Sequence, residues 1–342
     1  MNATTDAAPA RSRTAAPKVL DAAGFRTKVA RLSKLSVDEG KHFDAYRDVD
    51  WDAPEMQVDP ADPRWVALDA DPLRHTSWYA ELDPLARSRF NLYRLAACMK
   101  IGWHFENFLQ RGLLVRAMRL SDGSAELRYV HHEIIEESQH TLMFQELVAR
   151  SGFRVVGMPW WARAGAVAVV AGTSRWDAEL FFVLVLGGED PIDHVQRTAL
   201  GAGYDHPLAN RIMSIHVTEE ARHISFARTY LRHNVPKLGP FRRRGLAVAV
   251  PIVLGFMSRL MLVPPTDLRK ECDLPNAVVR EAFASPAGRQ LIADSMRKVR
   301  LLCEELGLVT RVSRRVWAVM GLSDRRMDTE PKRPAASGAA PA

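Results

Sequence analysis

The sequence predicts an all-α protein: a four-helix bundle with additional helices on its C-terminal side. Three observations carry this. Long stretches between residues 83 and 235 place apolar residues at the helical period, with polar residues opposite. Convincing strand alternation is absent. A set of Glu and His residues recurs at one fixed offset inside the periodic stretches, as two copies of a helix pair would leave them.

In chain order, residues 22–36 form a short basic helix candidate, and residues 40–82, with Trp51, Trp65 and Trp78, read as an ordered but irregular arm. The first long helix, 83–119, opens with Asp83-Pro84, a capping residue followed by proline at the first helical position. The second runs from about 124 to 151 and stops at Gly152. A loop with Pro159, Trp160 and Trp161 follows, then an apolar stretch, 164–171. The third helix is expected from Thr173 or Ser174 with Asp177 completing a cap. It runs toward Leu200, with a kink or bulge where Gly187, Gly188 and Pro191 bracket Glu189. The fourth opens at His206-Pro207 and ends before Pro236. Further helices are expected at 240–263, 276–284 and 287–320, the last broken near Gly307. The chain divides into a disordered tail, 1–20, one helical domain, 21–322, with its bundle at about 83–235, and a second tail, 323–342.

Composition narrows the function. Hydrophobic content of 47% and 342 residues allow a sizeable core. The net charge of +7 is spread among acids, with Arg242-Arg243-Arg244 the one basic run and no aromatic stripe beside it, so no nucleic-acid partner is expected. Cys98, Cys272 and Cys303 are far apart and lack metal-ligand spacing, which fits a reducing, cytoplasmic setting. The N-terminus lacks the apolar core of a secretory signal. The most apolar segment, Leu246 to Val263, is broken by Pro251, Ser258 and Arg259 and falls short of the ~20 residues of a spanning helix. It reads as a buried core helix, the alternative being a membrane-surface helix beside the arginine run.

The chemistry lies in two Glu-x-x-His pairs, Glu137/His140 and Glu220/His223. Chance alone predicts fewer than one such match, and Glu39/His42, in a polar stretch, is taken as that one. The other two are each preceded by a lone glutamate 31 positions upstream, Glu106 and Glu189. Every member of the first set recurs 83 positions later, and Glu136 and Glu219 share the offset. A carboxylate-bridged dinuclear centre in a bundle needs this arrangement, one Glu from each of two helices and Glu-x-x-His from the other two. Four carboxylates balance two divalent ions, so burial is tolerable. Oxygen and imidazole donors without thiolate suit iron, with manganese possible. The copies differ at one place: His216, one turn before Glu220, corresponds to Glu133. His216 is read as a third histidine ligand; Glu133 is open between extra ligand, proton relay and exposed residue.

The helix pairs resemble the ferritin-like di-iron carboxylate proteins. His216-x-x-x-Glu220-x-x-His223, with Gly188-Glu189-Asp190-Pro191 upstream, is similar to the AurF-type di-iron N-oxygenases, the p-aminobenzoate N-oxygenase family, over roughly residues 85–235. The resemblance implies metal ligation by Glu106, Glu137, His140, Glu189, His216, Glu220 and His223, with Glu137 and Glu220 bridging two iron ions. It implies an enzyme that uses O2 and an external electron donor (a reductase or ferredoxin) to oxygenate an amine to hydroxylamine and nitro products through a peroxo-diferric intermediate. A homodimer is the expected assembly. Arg94, Lys100 and Tyr93 are the polar residues near the first metal helix, and none falls convincingly on the Glu106 stripe. Two other readings stand beside this one: a di-iron hydroxylase or desaturase of a lipid or carrier-bound chain, and a non-catalytic iron-binding ferritin-like protein. A radical-generating role for Tyr129 or Tyr230 is a further option.

Overall fold

The computed structural model describes residues 20–38, 41–176 and 178–323. The two expected tails, Glu39 and the Asp177 cap therefore lie outside the described residues, apart from the first tail's last residue and the second tail's first. Among the described residues the protein is all-α, with no strand. Its helices are α1 (Ala22–Leu35), α2 (Ser77–Glu81), α3 (Pro84–Ala117), α4 (Ala125–Arg150), α5 (Trp160–Trp176), α6 (Ala178–Gly201), α7 (Pro207–Asn234) and α8 (Pro240–Leu262). Shorter helices follow: α9 (Thr266–Glu271), α10 (Asn276–Ala284), α11 (Pro286–Ser295), α12 (Arg297–Glu305) and α13 (Arg311–Val319).

The bundle is two helix pairs, α3 with α4 and α6 with α7, facing each other. The caps are those the sequence offers. The Asp83 side chain accepts from the Ala86 N–H with Pro84 behind it, and Ser124 accepts from Leu127. Aromatic packing joins the pairs: Tyr129 of α4 and Phe182 of α6 both pack on Phe226 of α7, with ring centroids 4.5 and 5.4 Å away. Helix α1 lies across α4 and α7. The arm before α3 folds over one end of the bundle, where the Trp65 indole stacks on His206 at 3.6 Å between centroids.

Two elements differ from expectation. The Trp160–Trp161 loop and apolar stretch are one helix, α5, whose alanine-rich run after Pro159 favours helix over loop. Around Glu189, where a kink or bulge is expected, α6 continues through Pro191 to Gly201. Gly187 and Gly188 serve close packing. A Cβ on Gly187 would lie 3.2 Å from Leu254 and Met257 of α8, and one on Gly188 would collide with the Phe105 ring of α3. The expected 287–320 helix is three, α11 to α13, divided at Met296 and at Gly307, whose φ of +69° is left-handed. The 240–271 segment is long and apolar enough to cross a membrane, but 56% of its apolar window is buried in the fold. Leu246, Val250, Leu254 and Met257 of α8 are core residues, packed with α6.

Candidate metal centre

The seven predicted site residues converge in the middle of the bundle. Glu106 comes from α3, Glu137 and His140 from α4, Glu189 from α6, and His216, Glu220 and His223 from α7; none is more than 2% exposed. A helix brings i, i+3, i+4 and i+7 to one face, so each segment presents its donors inward together. Glu106, His140, His216 and Glu220 offer ligand atoms within 4.8 Å of one another. So do Glu137, Glu220 and His223, and so do Glu106, Glu137 and Glu189. Glu137 and Glu220 therefore sit between the two imidazoles. The Nδ1 of His140 is 3.2 Å from Glu137 and 3.4 Å from Glu220, and the Nδ1 of His223 is 2.9 and 3.0 Å from the same two carboxylates.

The outer nitrogens are held in a crossed pattern. His140 Nε2 is 2.9 Å from Glu219 of α7, and His223 Nε2 is 2.7 Å from Glu136 of α4. Each half of the duplication thus orients the other half's histidine, leaving both Nδ1 atoms facing inward. Arg222 lies 2.8 Å from Glu136 and 3.7 Å from Glu219, offsetting their charge. The Phe43 N–H donates to Glu219 at 3.1 Å, so the N-terminal arm helps fix this layer. His42, set aside in the sequence as a chance match, is exposed and lies against Glu136 and Glu219. Spacing revealed that Glu136 and Glu219 repeat, but not that they cross.

His216 is oriented differently. Its Nδ1 is 2.8 Å from Gln196 Oε1, and its Nε2 points at Glu106, 3.5 Å away. Gln196 lay on the third helix with nothing in the sequence to single it out. Glu133, the counterpart of His216, is fully buried, and neither oxygen has a hydrogen-bond partner. Of the roles open to it, exposure is removed. Burial lifts its pKa to about 8.

The electrostatics are those of a site built for cations. Burial and the neighbouring carboxylates raise Glu106 and Glu189 well above the usual range, and burial raises Glu220. Burial pulls His140 down, but hydrogen bonds to Glu137 and Glu219 outweigh it and lift the ring to about 10. Burial and the nearby His140 hold His216 well below the ordinary range, so it is a neutral donor. One oxygen of each inner carboxylate, on Glu106, Glu137, Glu189 and Glu220, has no hydrogen-bond partner. Four orphaned oxygens and three imidazole nitrogens around one buried point are what two hard-to-borderline divalent ions require. These residues fit a dinuclear metal centre.

A cavity of about 20 Å³ borders Glu106, Glu189 and His216 and is closed by Gly102, Phe105 and Phe144. That is room for a water-sized molecule. Gly102 lines this space, and its Cβ position would be 3.1 Å from the Phe144 ring.

Comparison with known proteins agrees with this geometry. A family model described as P-aminobenzoate N-oxygenase AurF matches residues 25–307. An uncharacterised protein of Mycobacterium tuberculosis is 39% identical over 321 residues, covering 92% of this chain and 93% of the relative. An uncharacterised protein of Mycobacterium bovis is 38% identical with the same coverage. No solved structure matches the chain.

Proposed function

The chain belongs to the p-aminobenzoate N-oxygenase AurF family, a family of di-iron oxygenases, and on that premise we propose that it N-oxygenates an amine at a di-iron centre. Glu106, His140 and His216 would hold one iron, Glu189 and His223 the other, with Glu137 and Glu220 shared. The observation that carries this reading is the single orphaned oxygen on each of the four inner carboxylates, facing three imidazole nitrogens. Bound iron would supply O2 activation. One oxygen atom would go to the amine nitrogen and the other, with two electrons from an external donor and two protons, to water.

The chain's own residues set the conditions for that chemistry. Glu136 and Glu219 accept the Nε2 protons of His223 and His140, keeping each Nδ1 lone pair directed inward. Gln196 accepts from His216 Nδ1 and so leaves its Nε2 as the donor atom. The small cavity touches Glu106, Glu189 and His216 but neither His140 nor His223, so substrate meets the centre from the α3–α6 side. Glu133, buried without a partner four residues before Glu137, can store a proton close to the centre.

The deciding experiment is anaerobic ferrous loading with iron counted per chain, then O2 with a panel of amines and product analysis by mass spectrometry. Two irons per chain and an oxygenated nitrogen are the expected result. Product oxygenated only at carbon would replace this reading with a hydroxylase, which the apolar surroundings of the small cavity would also suit. Many irons per assembly and no product would indicate storage.

A further inference from the structure

Beyond the small cavity lies a larger one of about 110 Å³, and the two share Cys98, Met99, Ile192, Gln196 and Met261 as walls. Set end to end, they mark a passage from the metal centre outward. Along it run Arg94, Cys98, Gly102 and Glu106 of α3, each four residues from the next and so winding gradually around the helix. Twelve residues of helix make it about 18 Å long. At the inner end Glu106 and His216 side chains are 2% and 1% exposed; at the outer end Arg94 and Asp71 are 18% and 15% exposed.

Between these ends the walls are apolar: Phe90, Leu95, Val195, Met213 and Leu291 among them. The side chains that could recognise a charged substrate are already engaged. Arg94 pairs with Asp71 at 3.2 Å and donates to the Leu262 carbonyl. Asn91 donates to the Trp65 carbonyl and the Tyr79 hydroxyl, and Gln196 is held by His216. A carboxylate entering here would lose its hydration without a free cation among the described lining residues to replace it.

We infer that the substrate is a neutral and chiefly apolar amine whose body occupies the larger cavity and whose nitrogen is directed through the small one at the centre, and not an aminobenzoate-like amino acid. The inference rests on the N-oxygenase reading for the amine, while the passage and its apolar character stand on the walls alone. Methionines at the throat suit an occupant of variable width.

The test uses full-length diferrous protein under anaerobic conditions, so that binding is measured without turnover. Equilibrium binding is compared for 4-methylaniline, 4-butylaniline, 4-hexylaniline and 4-aminobenzoate. Affinity is expected to rise about fourfold per added methylene until the larger cavity is full, with 4-aminobenzoate the weakest of the four. Cys98→Phe at the throat and Ala199→Leu in the outer chamber should each weaken 4-hexylaniline about tenfold or more by filling the passage, with iron content unchanged. A flat chain-length series, tightest binding of 4-aminobenzoate, or wild-type affinity in both variants would overturn the inference. If a variant fails to fold, the chain-length series in the natural protein decides alone. If the alkylanilines bind as expected but O2 yields only carbon-oxygenated product, the passage stands and the N-oxygenase reading falls. If 4-aminobenzoate binds best and is N-oxygenated, the reverse holds.

Discussion

His140 and Glu219 stand 79 positions apart in the chain and 2.9 Å apart in space, joining α4 to α7 behind the metal centre. His223 and Glu136 repeat the contact at 2.7 Å in the opposite sense. The crossing makes the two halves of the duplication mutually dependent. Glu219→Ala should therefore loosen His140, a residue of the other half, and lower metal affinity about 10- to 100-fold. Glu136→Ala should do the same through His223. Competitive chelator titration of each variant checks this. Affinity within twofold or so of the natural protein in both would remove the positioning role.

Metal uptake should release protons and strengthen with pH. Glu106, Glu189 and Glu220 are held protonated upward of the usual carboxylate range by burial, and His140 is lifted to about 10. Ligation needs them deprotonated. Calorimetry of ferrous or manganous loading in two buffers of different ionisation enthalpy should show a clear buffer-dependent heat. An identical heat in both would mean that the site is already deprotonated.

The metal-free protein should lose stability as pH rises above neutrality. Burial raises Glu133 from the ordinary 4.5 to about 8, so its contribution is full below pH 4.5 and is lost as pH climbs through 8. His140, lifted from 6.5 to about 10, acts in the same direction between those values. Glu137 is held well below 4.5 and acts oppositely in more acidic solution, and His104, His206 and His216, held below 6.5, act oppositely up to that value. Thermal melts of chelated protein between pH 7 and 8 should fall with pH, and Glu133→Gln should flatten the fall. A flat profile in the natural protein would show that Glu133 is not held protonated.

His216→Ala should cost one metal ion more than the other. It removes the Nε2 that faces Glu106 and leaves His223 and its Glu136 partner intact. Gln196→Leu should act in the same direction more weakly, by releasing the ring's Nδ1. Iron counted per chain after gel filtration is the readout, with fewer than two in His216→Ala expected. Full occupancy with full activity would exclude His216 from the centre.

Gly188→Ala should destabilise the bundle by about 1–3 kcal/mol through overpacking. The added Cβ, beside Glu189, would strike the ring of Phe105, beside Glu106. Denaturant titration measures the loss. An unchanged midpoint would show that α3 and α6 can part without cost.

Most of the helices and all seven inward donors could be read from the chain, for a definite reason. Ligands are the polar exceptions on apolar helix stripes, and a duplicated helix pair repeats them at a constant offset. The offset separated Glu137 and Glu220 from the chance match at His42. Spacing could not say that Glu136 and Glu219 bond to the opposite half's histidines, because that depends on how two helix pairs are registered. Nor did it single out Gln196, whose partner His216 is 20 positions on and in another helix. Helix α5 was missed because its run of alanine and valine has no polar face to give a period. Around Glu189 two glycines and a proline signal bending locally, and only the fold shows that the glycines admit Phe105, Leu254 and Met257.

By itself, then, the sequence determined the all-α class, the paired helices and the set of Glu and His residues that meet inside the bundle, since each follows from periodicity and spacing along one chain. The tertiary structure alone decided the crossed hydrogen bonds, the burial of Glu133 without a partner and the apolar passage beneath Arg94. Arg94 shows the difference well. Along the sequence it is a lone cation without a convincing place on the Glu106 stripe. In the fold it borders the outer cavity, with its charge taken up by Asp71, a residue of the preceding arm. Which charges remain available to a substrate depends on contacts between segments distant in the chain, and periodicity carries no information about those.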